Sequence, residues 1–218
     1  MARNYTALSG AAMVRKIRGQ SIRRIVFCLI CLAMEIAFLA ALLIMMQRER
    51  EYLTGIFGLL ILAFVGYETV KALSKAWRIC ADAAHARVFR KYGSPDVLAA
   101  KISEGSTAVL LESRQTLLTD AFIMKHGDFQ TYVPYENVLL LYRKEHRTNG
   151  ILDSIFLVIH DTYGDKFEYP FKLGKKHAGD MSAAAQEIER HAPDCRFGYT
   201  KENLMYAEQH AKKLPEEP

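Results

Sequence analysis

Little in this sequence announces an enzyme or a secreted domain. It holds four cysteines in 218 residues, Cys28, Cys31, Cys80 and Cys195, and their spacing fits no extracellular disulfide framework. In a reducing compartment they stay thiols. Cys28 and Cys31 form a C-x-x-C, but no second Cys or His pair completes a zinc site. That pair lies inside an apolar run and reads as packed or lipid-facing thiols, with palmitoylation as the alternative. The seven histidines, at 85, 126, 146, 160, 177, 191 and 210, are scattered. His160 and Asp161 are adjacent on an expected strand, where neighbouring side chains point to opposite faces. G-x-S-x-G, H-E-x-x-H and a Gly-rich phosphate loop are all missing. On this reading the chain carries no catalytic residues, metal ligands or cofactor.

A basic excess is also missing from the part of the chain that would fold in water. Residues 1–91 hold 14 Lys/Arg against 5 Asp/Glu, whereas residues 92–218 hold 15 against 19. A nucleic-acid footprint would place its positive charge on a folded domain, so nucleic acid is excluded as a partner.

Two long apolar runs are present instead. One covers residues 24–46, "RIVFCLICLAMEIAFLAALLIMM", and the other 52–73, "YLTGIFGLLILAFVGYETVKAL". About 20 apolar residues suffice for a helix to cross the hydrocarbon layer. The first run exceeds a signal-peptide core, and no small-x-small cleavage site follows it. The connector "QRERE" (47–51) allows only a tight turn, so the two runs predict a transmembrane helical hairpin. Arg3, Arg15, Lys16, Arg18, Arg23 and Arg24 precede it; Lys71, Lys75, Arg78, Arg87, Arg90 and Lys91 follow. Lys and Arg near spans stay cytoplasmic, which predicts a multi-pass membrane protein with both termini in the cytoplasm. Trp77 is the expected interface anchor.

Glu35 interrupts the first run. At 1.5 Å per residue it lies ~18 Å along the helix from Arg23, near mid-bilayer. An ionised acid there costs several kcal/mol and normally faces a partner. An antiparallel hairpin turning at residues 47–51 places Glu35 level with Leu62, with Tyr67 and Thr69 a turn or more away and Gly58 and Gly66 permitting close helix approach. The expectation is a protonated carboxyl hydrogen-bonded within the hairpin or across a dimer, with Glu35 and Tyr67 as the candidate intramembrane contact. The rival is a proton path in an oligomeric channel or transporter.

Beyond the hairpin, residues 74–92 read as the second helix continuing without a breaker to Gly93. Ser94-Pro95-Asp96 starts a further helix, which ends at Gly105. From residue 107 the hydrophobic period becomes two. Strands are expected at 107–113, 121–126, 129–135, 137–146, 154–161 and 166–171, with turns at His126-Gly127-Asp128, "TNG" and "TYGD". Residues 176–191 form an amphipathic helix with Ala178, Met181, Ala185 and Ile188 on its apolar stripe. "CRFGYT" is an extended link, Thr200 caps a last helix, and the tail "LPEEP" is expected to be disordered. The fold class is α+β: a small antiparallel sheet or open barrel capped by a helix.

"LLTDAFIMKHGDFQTYVPYENVLLLYRKE", then "IFLVIHDTYGDKFEYPF" and the helix, resembles bacterial pleckstrin-homology-like (PH-like) domains attached to membrane hairpins. "KYGSPDVLAAKI" and "APDCRFGYTKE" are similar to segments of uncharacterised bacterial membrane proteins that carry that domain. The resemblance covers roughly residues 90–205 and implies a fold and a membrane setting, with no activity attached. It divides the chain into a basic N-terminus (1–23), the hairpin (24–73), a helical linker (74–105), a PH-like domain with its capping helix (106–199) and a C-terminal helix and tail (200–218). Residues 94–213 are expected to fold without the membrane part.

Lipid-binding PH domains hold inositol phosphates with basic residues around the first hairpin; the matching connection here, "ESRQTLLTD", offers Arg114 alone. Lys172, Lys175 and Lys176 sit at the start of the late helix, where cations oppose the helix dipole and an anion or lipid headgroup would relieve them. The plainer reading of these lysines is a solvated rim facing anionic lipid. The tyrosines among the strands read as core. The function expected from all this is a non-catalytic binding or scaffold module presented at the cytoplasmic face, whose partners are the bilayer and a protein or a second copy of the chain. The alternatives are a channel or transporter subunit using Glu35, and a membrane-bound enzyme.

Overall fold

In the computed structural model the chain is α+β, and it describes residues 8–49, 52–106, 109–112, 115–174, 177, 179–212 and 214. It divides into two compact units. One comprises Val14–Ala84; the other comprises Met1–Met13 together with His85–Pro218.

The first unit is helical. Proline is absent before Pro95, so no residue in this part lacks the N–H a helix needs. Helix α1 runs from Gly10 to Glu49 and helix α2 from Tyr52 to Ala81. Both are long and apolar enough to cross a membrane. Helix α1 starts well before the expected span and takes in the basic stretch with Arg15, Lys16 and Arg18.

Helix α2 stops earlier than the unbroken pattern of 74–92 predicts. A 3-10 turn at Ala83–His85 follows it, and α3 (Arg87–Tyr92) is a separate helix. Gly93 ends α3 at φ 111°, in the region that only glycine enters freely. Helix α4 covers Pro95–Gly105, with Pro95 in its first turn as expected.

Eight strands follow: β1 (Val109–Glu112), β2 (Thr116–Thr119), β3 (Phe122–Lys125), β4 (Asp128–Pro134), β5 (Val138–Thr148), β6 (Ile151–Asp161), β7 (Lys166–Phe171) and the two-residue β8 (Arg196–Phe197). They form two four-stranded sheets, ordered β1-β2-β3-β4 and β7-β6-β5-β8. All pairings are antiparallel except β5 with β8. Asn149 and Gly150, both at positive φ, turn β5 into β6, as an Asn-Gly hairpin requires. Helix α5 (Asp180–His191) and helix α6 (Lys201–Gln209) complete the unit. Thr200 caps α6, its hydroxyl accepting from the Asn203 N–H at 3.1 Å.

The core lies between the inner faces of the sheets and α5. Leu118, Ile123, Val133, Leu141, Leu157 and Ile159 meet Met181, Ala184 and Ile188 there. Ala178 of the expected helix stripe lies outside the described residues. Two buried tyrosines satisfy their hydroxyls on backbone carbonyls: Tyr135 on Thr119 at 2.5 Å and Tyr169 on Thr131 at 2.6 Å. The first sheet is covered on its outer face too. The Tyr92 ring of α3 stands edge-on to Tyr132 at 5.4 Å, and Gly105 at the end of α4 lies against the Phe122 ring. That double cover is why all four residues of β2 are buried. On the outer face of the second sheet, Leu140, Tyr142 and Val158 pack under Ala207 of α6.

Candidate functional site

The hairpin turns Glu35 toward its seam. Side chains seven apart on a helix share a face, so Cys28, Glu35 and Leu42 form one stripe on α1, with Cys28 and Leu42 buried and Glu35 half-buried. Across from them α2 presents small residues. A β-carbon added at Gly58 would stand 3.0 Å from a Leu42 methyl, and one at Gly66 would stand 3.4 Å from Glu35 Oε2. Packing of this closeness is what small residues permit between apolar helices. The outer faces carry large apolar side chains: Phe27, Phe38, Phe57 and Phe64 are each more than 60 % exposed.

Glu35 finds its partner in Thr69. The Thr69 hydroxyl lies 2.6 Å from Glu35 Oε1 and 3.0 Å from the Val65 carbonyl. Tyr67, the contact expected from the sequence, is not in this pair. Its side chain is 63 % exposed, with the Lys71 ammonium 5.6 Å from its ring centre. Two causes displace the level. The helices run on to Glu49 and resume at Tyr52, so the turn sits later than a connector at 47–51 implies, and Glu35 comes level with Gly66 rather than Leu62. Helical side chains also lean toward their own N-terminus, which carries the carboxyl of α1 toward higher numbers on α2.

Cavities open on this unit among the described residues. One, of about 310 Å³, is walled by Leu32, Ile36 and Leu39 of α1 and by Leu59, Leu62 and Ala63 of α2, with Glu35 as its single ionisable member. Another, of about 420 Å³, lies between Ile25, Leu29, Val70 and Leu73 and ends at Trp77 and Arg78. Trp77 is 64 % exposed.

The contribution of Glu35 is measurable. Glu35→Leu should weaken pairing of α1 with α2 by about 0.6–2 kcal/mol, the range for interhelical hydrogen bonds in membranes. Glu35→Gln retains a donor and an acceptor and should leave it nearly unchanged. Helix content followed through a denaturing-detergent titration separates the two.

The sheet-bearing unit holds a second polar site that the sequence reading missed. Lys91 of α3 is buried, and its ammonium pairs with Asp161 and, at 2.6 Å, with Asp165. Asp161 is fully buried. It accepts from the Tyr92 hydroxyl at 3.0 Å and from the N–H groups of Tyr163 at 3.0 Å and Asp165 at 2.8 Å. The Tyr163 hydroxyl donates to the Lys91 carbonyl at 2.9 Å, and Arg87 pairs with Asp165 at 2.6 Å. The rings of Tyr92, Tyr163 and Phe167 stand 5.3–5.8 Å from the ammonium, close enough for cation–π attraction. Burial, together with the Asp161 carboxylate, pushes the Tyr92 phenol well above its ordinary value, so it remains a donor. The two aspartates bracket "DTYGD", the tight turn from β6 to β7. Lys91 reads in sequence as one more basic residue beside a span. The available signal was a charged residue between the apolar Val88, Phe89 and Tyr92.

The lysines at the start of the late helix are not brought together in a site. Lys172 is exposed, and Lys175 and Lys176 lie outside the described residues. The acid in the first turn of α5 is its own Asp180, whose carboxylate meets His177 Nδ1 at 2.8 Å. Cys195 is buried, which pushes its thiol up to about 12 and keeps it unreactive. Among the described residues no group of three His, Cys, Asp or Glu side chains could hold a metal ion. No family model, no curated protein and no solved structure matches the chain.

Proposed function

We propose that the protein is a membrane-anchored binding module: a two-helix hairpin in a bacterial inner membrane that holds a PH-like domain at the cytoplasmic face. The observation that carries this is the inverted polarity of the hairpin. Glu35, Thr69 and Cys28 line the seam, while phenylalanines face outward. Water would demand the opposite arrangement, and lipid tails favour this one. The Lys and Arg flanking the hairpin support a cytoplasmic side for both termini.

The second unit supports the PH-like reading. Seven antiparallel strands in groups of four and three, followed by the amphipathic α5 packed into the opening between the sheets, are the order of elements such a domain has. The sheets also grip their own N-terminal helix. Lys91 stands ten residues after the end of α2, and the buried Asp161 and the part-exposed Asp165 of the β6–β7 turn hold it. A module meant to be presented by an anchor gains from such a clamp, because the chain entering it is fixed to its core.

Purification from native membranes in mild detergent tests the binding role, with the full chain compared against a version that ends after Ala84. The reading expects a protein or lipid in stoichiometric amount that the full chain retains and the truncated one loses. Retention of the same species by both would place binding in the hairpin and overturn it.

A further inference from the structure

We propose that the cavity beside Glu35 binds a lipophilic amine drawn from the bilayer. The inference rests on the hairpin being embedded in lipid, and it adds a ligand site to the anchor.

Six apolar residues wall the cavity and one carboxyl completes it. Its volume of about 310 Å³ falls within the ~300–1,000 Å³ of sites that enclose small molecules, and an apolar lining with a single polar group is the usual make-up of such sites. Glu35 Oε1 is taken by Thr69, while Oε2, over Gly66, has no hydrogen-bond partner among the described residues. Hydrocarbon offers no donor, and an unsatisfied carboxyl oxygen there is costly. A molecule that fits must therefore bring a donor on a compact apolar body.

An amine suits this carboxyl better than an alcohol. In the complex Glu35 loses its carboxyl proton and the amine nitrogen, whose lone pair forms the new N–H bond, gains one, so that the ammonium donates to Oε2. A carboxylate and an ammonium remain, and no third reactant is consumed. Attraction between the two is strong where the dielectric is low. No Lys or Arg lines the cavity to compete for the carboxylate.

Thr69 serves both protonation states. Its hydroxyl lies within reach of Glu35 Oε1 and of the Val65 carbonyl. With Glu35 neutral, the carboxyl donates to Thr69 and the hydroxyl gives its proton to Val65, a common bond for threonine in helices. With Glu35 ionised, the hydroxyl turns and donates to Oε1. The hairpin seam therefore keeps its hydrogen bond whether or not the amine is bound.

The test uses the full chain in lipid nanodiscs, with isotope-labelled 1-aminoadamantane as the probe and 1-adamantanol as its uncharged counterpart. Empty nanodiscs give the partitioning background. Saturable binding of one amine per chain is expected, weakened at least tenfold by Glu35→Gln and by Ala63→Phe, which fills the cavity. The alcohol should bind at least tenfold more weakly than the amine. Equal binding by wild type and Glu35→Gln, equal binding of amine and alcohol, or uptake no greater than that of empty nanodiscs would each overturn the proposal. Absence of amine binding with efficient Ile36→Cys cross-linking between copies would assign the cavity to a second hairpin instead. Alkaline carbonate extraction of cell membranes, run in parallel, checks the embedding: release of the chain there would remove the membrane reading, whereas retention without amine binding removes this inference alone.

Discussion

Lys91→Met should lower the stability of the sheet-bearing unit by about 3–5 kcal/mol, the range for breaking one side of a buried ion pair. The substitution keeps the aliphatic stem and removes the charge that balances Asp161 and Asp165. Asp161 has no exposure to solvent and cannot recover hydration. Tyr92 and two backbone N–H groups still hold it, but they bring no positive charge. Lys91→Met combined with Asp161→Asn should be less harmful than the two single changes added together, because the double variant removes both charges. Contacting pairs couple by ~0.5–3 kcal/mol, and the sign here is fixed by the burial of the pair. Urea unfolding of residues 85–218 provides the measurement. The same clamp sets the boundary of the autonomous fragment. A fragment starting at residue 94, as the sequence suggests, lacks Lys91 and Tyr92 and should be destabilised like Lys91→Met. One starting at His85 should unfold cooperatively.

Ile188→Asp should be the second severe change, destabilising by several kcal/mol. Ile188 has no solvent exposure and packs from α5 into the core between the sheets. The aspartate would lose its hydration there and meet only apolar neighbours. Ala185, three residues earlier and only partly buried, is the control. Ala185→Asp stands nearer the rim and should cost less. Equal effects at the two positions would mean that α5 does not present Ile188 to the core.

Much of the architecture was legible because long-period patterns carry it. Two apolar runs of about 22 residues, each too long for a strand, fix α1 and α2. The nearly unbroken apolar run of "SIFLVIHD" and the alternation of "KFEYPF", bounded by Gly-containing turns, fix β6 and β7. The Met181–Ile188 stripe fixes the buried face of α5. Short or doubly covered elements were not legible. Strand β2, "TLLT", is buried on both faces and so shows no alternation, which made it read as part of a connection. "CRFGYT" carries no strand signal, because β8 is two residues long and pairs in parallel with Leu140 and Leu141 of β5, more than fifty residues earlier.

The two polar sites were legible to different degrees. Glu35 stands out because a carboxyl inside an apolar run demands a partner. Its partner did not, since the level of α2 against α1 depends on where the turn falls, and the polar connector gives no mark within two residues. Lys91 gave almost no mark. Its neighbours in sequence, Arg87 and Arg90, are exposed, and only the folded β6–β7 turn, which encloses Lys91 and meets Arg87 from the surface, tells them apart.

The central claim is that the hairpin spans the membrane and leaves the sheet-bearing unit in the cytoplasm. Paired reporters fused after Pro218 test it most directly, one active only in the cytoplasm and the other only in the periplasm. Fusions after Glu49, at the turn of the hairpin, are the counterpart. Cytoplasmic activity at Pro218 with periplasmic activity at Glu49 is the predicted result. Periplasmic activity at Pro218, or cytoplasmic activity at both positions, would contradict it.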